Sequence, residues 1–279
     1  MRNKLYKIFL LMVVFINAAI ISYAQKGSLF IIGGGERSDA MVKEMVETAK
    51  LSATDYIVVL PMATSVPEES ISYVSGQLAK ACSNRITSFN FSKAQANENQ
   101  SWIDSVKNAR LIYITGGDQN KFMAVVTGTK LYDAMHAAFR DGATISGTSA
   151  GAAVMSQIMI TGEDRGKKSS ESFKEVKTNS TVTAEGMGFI SSAIIDQHFI
   201  IRGRYNRLLS ALGDHPDKTV IGIDESTAII VTGKKVKVTG ESQVVVISKP
   251  KKLKLFGKDK ITFKNAQLSL YSPGQSFSL

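Results

Sequence analysis

Short apolar runs alternate with amphipathic stretches through the first half of the chain. Ser28-Leu29-Phe30-Ile31-Ile32 is apolar after its first residue and ends in Gly33-Gly34-Gly35, the pattern of a strand buried on both faces. Asp39 to Lys50 changes to a helical period, and Tyr56 to Leu60 predicts a second buried strand, stopped by Pro61. A polar loop containing Pro67 precedes a predicted helix from about Glu68 to Ala81, and Ile86 to Phe91 alternates as a third strand. Asn97 to Asn108 predicts a helix, and Leu111 to Ile114 a fourth strand that closes on Gly116-Gly117. Helical stretches near Lys121–Val126 and Leu131–Arg140 lead to a fifth strand, Ala143 to Ser146. Strands alternating with helices predict an α/β protein, its sheet mostly parallel with helices on both faces.

The second half is less regular. Gly162 to Thr183 has no clear period, is rich in Lys, Ser and Glu, and is expected to form a mobile loop. Ile194 to Phe199 reads as a strand end, Arg202 to Leu212 as a helix, and Val220 to Glu225 as a strand running into acidic residues. From Ala228 onward, short strands are divided by Thr232-Gly233, Thr239-Gly240 and Phe256-Gly257. Residues 228–279 are therefore expected to be antiparallel hairpins appended to the main sheet. No linker sets them apart, so 25–279 is expected to be one domain. In open α/β sheets ligands bind beyond the carboxyl ends of the strands, which places Gly33-Gly34-Gly35 and Gly116-Gly117 on the functional edge.

The amino terminus follows different rules. Arg2, Lys4 and Lys7 precede an apolar run from Ile8 to Ile21, and Ser22-Tyr23-Ala24 supplies small residues before Gln25. A basic region, an apolar core too short for a full bilayer crossing and an A-x-A-like site predict a cleaved signal peptide, residues 1–24. The mature chain is expected to be exported, to the periplasm or the extracellular space, with no membrane association after cleavage. Cleavage lowers 34 basic residues to 31 against 24 acidic ones, a net charge of +7. Much of the excess lies between Lys249 and Lys264, where sparse aromatic residues argue for a solvated or edge-guarding face over nucleic-acid binding. The single cysteine, Cys82, excludes an internal disulfide.

The chemistry centres on Gly147-Thr148-Ser149-Ala150-Gly151, a G-x-S-x-G between a predicted strand and Ala152 to Ile158, which reads as helix. Strand, sharp turn and helix form the setting of a nucleophile elbow, which makes Ser149 the candidate nucleophile. A serine hydroxyl needs a base. Of three histidines, His136 lies in the apolar pattern of a helix and His215 in a turn, whereas His198 closes a strand beside Asp196 and Gln197. The acid that would orient it is open among Glu225, Asp224 and Glu163, with Asp196 also close in sequence. The Ala150 N–H and a second donor on a glycine turn, for which Gly117 is suited, would form an oxyanion hole.

Gly116-Gly117-Asp118-Gln119, the Ser149 elbow, Asp196-Gln197-His198-Phe199 with Arg202, Arg204 and Arg207, and Gly222-Ile223-Asp224-Glu225 occur in this order. Together they resemble the cyanophycinase branch of the serine peptidase family that also contains aspartyl dipeptidase, over nearly the whole mature chain. The resemblance implies a flavodoxin-like sheet related to class I glutamine amidotransferases, and a Ser149, His198, Glu225 triad with Gly117 and Ala150 as oxyanion donors. It also implies a pocket shaped by Gln119, Asp196, Gln197, Arg202, Arg204 and Arg207, and no metal or cofactor. Cyanophycinases release β-Asp-Arg dipeptides from multi-L-arginyl-poly-L-aspartate. The expected substrate is thus a peptide or polypeptide containing aspartate, with a homodimer as a possible assembly. Aspartyl or isoaspartyl dipeptides, or a non-catalytic binding role, are the competing readings. Lys167-Lys168 depart from the family pattern in a region expected to lie near the substrate.

Overall fold

The computed structural model describes residues 27–164 and 174–279, so the expected signal segment and Lys167-Lys168 lie outside it. Five parallel strands form the centre: β1 (Ser28–Ile32), β2 (Tyr56–Leu60), β3 (Arg85–Ser88), β4 (Leu111–Ile114) and β5 (Thr144–Thr148), in the spatial order β3-β2-β4-β5-β1. The period-2 geometry of a strand sends neighbouring side chains to opposite faces. Phe30 and Ile32 pack with α1 (Asp39–Ala49) and α2 (Pro67–Ala81), while Leu29 and Ile31 join the core on the other face with α4 (Gln100–Lys107) and α6 (Lys130–Arg140). Burial on both sides explains why β1, β2 and β4 are nearly uninterrupted apolar runs, while β3, at the sheet edge, is only half-buried.

The helices begin where local chemistry allows. Ser38 caps α1 by accepting the Met41 N–H, and the helix buries Met41, Val42, Met45, Val46 and Ala49 along one stripe. Full burial of one such Met or Val side chain stabilises the fold by roughly 1.5–3 kcal/mol. Asp118 accepts the Asn120 N–H at the start of α5 (Gln119–Val126), so the Gly116-Gly117 turn feeds directly into a capped helix. The expected helix over 97–108 is divided into α3 (Gln95–Glu98) and α4, because the Asn99 side chain accepts the Trp102 N–H and starts a new helix. The third strand ends at Ser88, short of the expected Phe91, whose ring is buried near Phe89 and Trp102.

The second half departs further from the sequence pattern. After β5 the helix α7 is only Ala150–Ala153, since the chain then pairs at Ser156 with Ile190 instead of continuing helically. The strands β6 (Ile158–Asp164) and β7 (Thr181–Glu185) pair antiparallel, so both ends of the expected loop at 162–183 are strand. The expected helix from Arg202 begins at Tyr205 as α8 (Tyr205–Asp214), because Gly203, at φ 59°, interrupts the turn before it.

The carboxyl-terminal strands are shared between two sheets and are not all appended to the main one. β10 (Thr227–Thr232), β11 (Lys235–Gly240) and β16 (Ser276–Ser278) extend the central sheet antiparallel beyond β1. A second sheet has the order β15-β12-β9-β8, from β8 (Ala193–Asp196), β9 (Thr219–Ile223), β12 (Val244–Ser248) and β15 (Gln267–Tyr271). β13 (Lys251–Phe256) and β14 (Lys260–Lys264) form a separate hairpin. His198 and Glu225 each lie two residues beyond the ends of β8 and β9, so the split bears on the site.

Packing at the end of β9 is tight. A Cβ on Gly222 would lie 2.3 Å from the Phe199 ring, one residue after His198. Gly222→Ala is expected to destabilise the fold by about 1–3 kcal/mol through overpacking, measured as a lowered urea midpoint with unchanged m-value.

Candidate active site

Ser149 follows β5 directly and has φ 53°, ψ −106°, a conformation that L-residues avoid. Its flanking glycines are sterically required. A Cβ on Gly147 would approach the Gly151 carbonyl oxygen to 2.4 Å, and one on Gly151 the Ile114 carbonyl oxygen to 2.4 Å. Only this close approach lets the chain reverse between β5 and α7 and lift the Ser149 hydroxyl above the sheet edge.

His198 also has a positive φ, 48°, just beyond β8. Its Nε2 lies 2.8 Å from Ser149 Oγ, and its Nδ1 lies 2.5 Å from Glu225 Oε1. Donation from Nδ1–H to the carboxylate leaves Nε2 to accept the serine proton. Burial lowers the imidazole pKa, partly opposed by Glu225, while Arg202 and Arg204 lower it further, which favours the neutral ring.

Two of the other acids, Asp224 and Asp196, are engaged elsewhere. Asp224 Oδ1 accepts the N–H groups of Ile200 and Ile201, and Oδ2 accepts the Ser242 hydroxyl, fixing the turn after His198. Glu163 lines the cleft in front of the serine. Asp196 is fully buried and forms a two-pronged pair with Arg207, from Nε at 2.7 Å and from Nη2. Arg207 also donates to Gln197 Oε1, and Arg204 to the Gln197 carbonyl. His136, packed on Tyr132 and Phe189, bonds the Met187 carbonyl, and His215 caps α8.

A cleft of about 320 Å3 opens over Ser149, lined by Gly117, Gln119, Gln197, His198, Arg202 and Arg204, with Arg207 at its base. The three arginines do not present one helix face: Arg202 and Arg204 precede α8, and only Arg207 lies within it. Arg202 is half-exposed, 3.7 Å from Glu225, and burial followed by repulsion from Arg207 pushes Arg204 down to about 10. Gln119 is buried and donates to the Ile160 carbonyl, tying α5 to β6. Among the described residues neither the Ala150 nor the Gly117 N–H donates a hydrogen bond. Gly117 is at φ 135°, and a Cβ on it would lie 2.1 Å from the Ala63 carbonyl oxygen.

The Gly33-Gly34-Gly35 run lies at this edge, as its place after a buried strand predicts, and packs against the histidine and the glutamate. A Cβ on Gly34 would lie 2.2 Å from the His198 ring, and one on Gly35 2.7 Å from Glu225 Cβ. A glycine run directly after a buried strand was the available signal.

An elbow serine at the carboxyl edge of a parallel sheet, followed by a hydrogen-bonded histidine and carboxylate, has the form of an α/β serine hydrolase. The sequence profile described as Peptidase family S51 matches residues 29–239. A cyanophycinase from Trichormus variabilis is 29% identical over 271 residues, covering 92% of this chain and 87% of that protein. One from Geminocystis herdmanii is 32% identical over 188 residues, covering 65% of this chain and 66% of its own. The crystal structure of a peptidase from an acI-B1 actinobacterium matches at a TM-score of 0.66 and 20% identity, over 92% of this chain and 98% of that one, which shows a shared fold. The chain belongs to peptidase family S51 and is a serine-type peptidase.

The buried Asp196–Arg207 pair holds the floor of this cleft. Asp196→Ala leaves the guanidinium buried against a missing partner and is expected to cost about 3–5 kcal/mol, read from chemical denaturation.

Proposed function

We propose that this peptidase hydrolyses cyanophycin to β-Asp-Arg dipeptides through an acyl-enzyme on Ser149. The observation that carries this reading is the unbroken hydrogen-bond path from Ser149 Oγ through His198 to Glu225, at 2.8 and 2.5 Å. Kinship with cyanophycinases along 92% of the chain supports the choice of polymer.

In the proposed reaction His198 Nε2 takes the Ser149 proton as Oγ bonds to the scissile carbonyl carbon. The carbonyl oxygen becomes an oxyanion and is held by the N–H groups of Ala150 and Gly117. Glu225 stabilises the imidazolium. The C–N bond then breaks, and His198 gives its proton to the leaving amine. Water, deprotonated by the same imidazole, attacks the ester, and Ser149 recovers its proton as the product acid departs. The chain's own groups suffice for each step, with no metal or cofactor invoked. Arg202 and Arg204 give the cleft donors for substrate carboxylates, which every arginine of cyanophycin carries. The same donors suit aspartyl or isoaspartyl dipeptides, the second reading.

Ser149→Ala is expected to remain folded and to lose roughly 10⁴-fold or more in turnover of cyanophycin. A panel of cyanophycin, α-Asp and β-Asp dipeptides separates the two substrate readings, and full turnover of all three by Ser149→Ala would overturn both. Because the base must be neutral, kcat/KM is expected to fall on the acid side with an apparent pKa below the ordinary imidazole value of about 6.5. An acid limb above that value would contradict the neutral, buried His198.

We further propose that the chain is exported after cleavage of residues 1–24 as a signal peptide, leaving 25–279 as one peptidase domain. Amino-terminal sequencing of protein secreted from its natural host is expected to start at Gln25. Retention of Met1 in the exported chain would contradict this.

A further inference from the structure

A second cleft lies on the other side of the Gly116-Gly117 turn. It has a volume of about 270 Å3 and is walled by Arg37, Ser70, Tyr73, Thr115 and Thr148. Gly117 lines both this cleft and the one over the triad. Thr148 immediately precedes Ser149, and a Cβ on Gly116 would lie 3.5 Å from Ser149 Cβ. A substrate whose carbonyl is seated at Ser149 therefore has room for one arm in each cleft.

The chemistry of the second cleft is specific. Among the described residues Arg37 is its single charged wall residue. The guanidinium lies 5.1 Å from the centroid of the Tyr73 ring and 5.9 Å from that of Tyr113, and its Nε donates to Gln77 Oε1 at 2.9 Å. Two aromatic neighbours and one hydrogen bond fix the plane of the group before anything binds. Among the described residues Arg37 makes no ion pair, and neither Nη donates a hydrogen bond. The nearby carboxylate of Glu36 accepts the Tyr73 hydroxyl and is not part of the lining. Thr115 lines the cleft and is buried, and among the described residues its Oγ1 has no hydrogen-bond partner. A buried hydroxyl is rarely left so, and an acceptor on a ligand would satisfy it.

We propose that this cleft is a carboxylate subsite, in which Arg37 holds a free carboxylate of the substrate and the Thr115 hydroxyl supplies a second donor. The assignment rests on Ser149 being the nucleophile. It makes the enzyme selective for peptides that carry a free carboxylate within one arm's reach of the scissile amide, and it makes Arg37 a specificity-determining residue.

The test uses the full mature chain carrying Ser149→Ala and two probes, each built of two β-Asp-Arg units joined through the aspartate backbone. One has every carboxylate free and the other has every carboxylate as a primary amide. Calorimetric titration is expected to show that Arg37→Gln weakens binding of the free-carboxylate probe by about tenfold, as loss of a charge-assisted hydrogen bond does, and leaves the amide probe unchanged. Thr115→Val, which keeps the side-chain volume, is expected to weaken the same probe by a smaller factor and reads the subsite independently if Arg37→Gln unfolds. Equal losses for both probes, no loss with either variant, or no binding of the free-carboxylate probe would overturn the subsite. Turnover of that probe by Ser149→Ala would instead overturn the nucleophile on which it rests.

Discussion

Three successive carbonyl groups at the end of the first strand hold the site together. Ile32 accepts the N–H of Ser149 at 3.1 Å, Gly33 that of His198 at 2.7 Å, and Gly34 that of Ser226, next to Glu225, at 2.9 Å. The serine follows a strand of the central sheet, whereas the histidine and glutamate follow strands of the second sheet. Without a common anchor, two sheets able to slide on each other would not keep two side-chain hydrogen bonds in register. The anchor works only because the glycines have no side chains: a Cβ on Gly33 would lie 2.1 Å from the Asp224 carbonyl oxygen.

The same constraint accounts for backbone strain at the site. Ser149, His198 and Ser226 all have positive φ, at 53°, 48° and 51°. Conformations of this kind cost about 1–3 kcal/mol each where the ψ value is also unfavourable, and persist only when the surroundings over-determine them. Here the backbone bonds to residues 32–34 do so, helped by Asp224, which clamps the turn after His198, and by Arg207, which neutralises buried Asp196. The residues around the candidate triad thus serve mainly to hold it still. That is the requirement for catalysis by preorganised donors.

Much of this was legible in the sequence where one local rule dominated. The inner strands β1, β2 and β4 could be read because both faces are buried and their apolar runs end at Gly or Pro, whereas the edge strand β3 is only half-buried and showed as an alternation. The pairing of Ser149 with His198 follows from motifs at strand ends, which the fold brings to a common edge, whereas the residue pattern alone left Glu225 open beside Asp224 and Glu163 and only the family resemblance singled it out. What was not legible depended on tertiary partners. Strand character alone does not say which sheet receives a strand, so the transfer of β8, β9, β12 and β15 to a second sheet left no local trace. Arg207 looks like any charged helix residue until Asp196 is found beneath it. The helix from Arg202 fails at Gly203, whose φ of 59° left no trace in the residue pattern, and the Gly33–Gly35 turn gained its meaning only once His198 and Ser226, bonded to the Gly33 and Gly34 carbonyls, met.

The central claim is that Ser149 is made nucleophilic by His198 and Glu225 across the junction of two sheets. Labelling with a small fluorophosphonate, read by intact mass and peptide mapping, tests it most directly. The account predicts one adduct per chain, on Ser149, formed by the native protein and lost in a folded His198→Ala variant. Adduct formation at another residue, or undiminished labelling of Ser149 without His198, would contradict it.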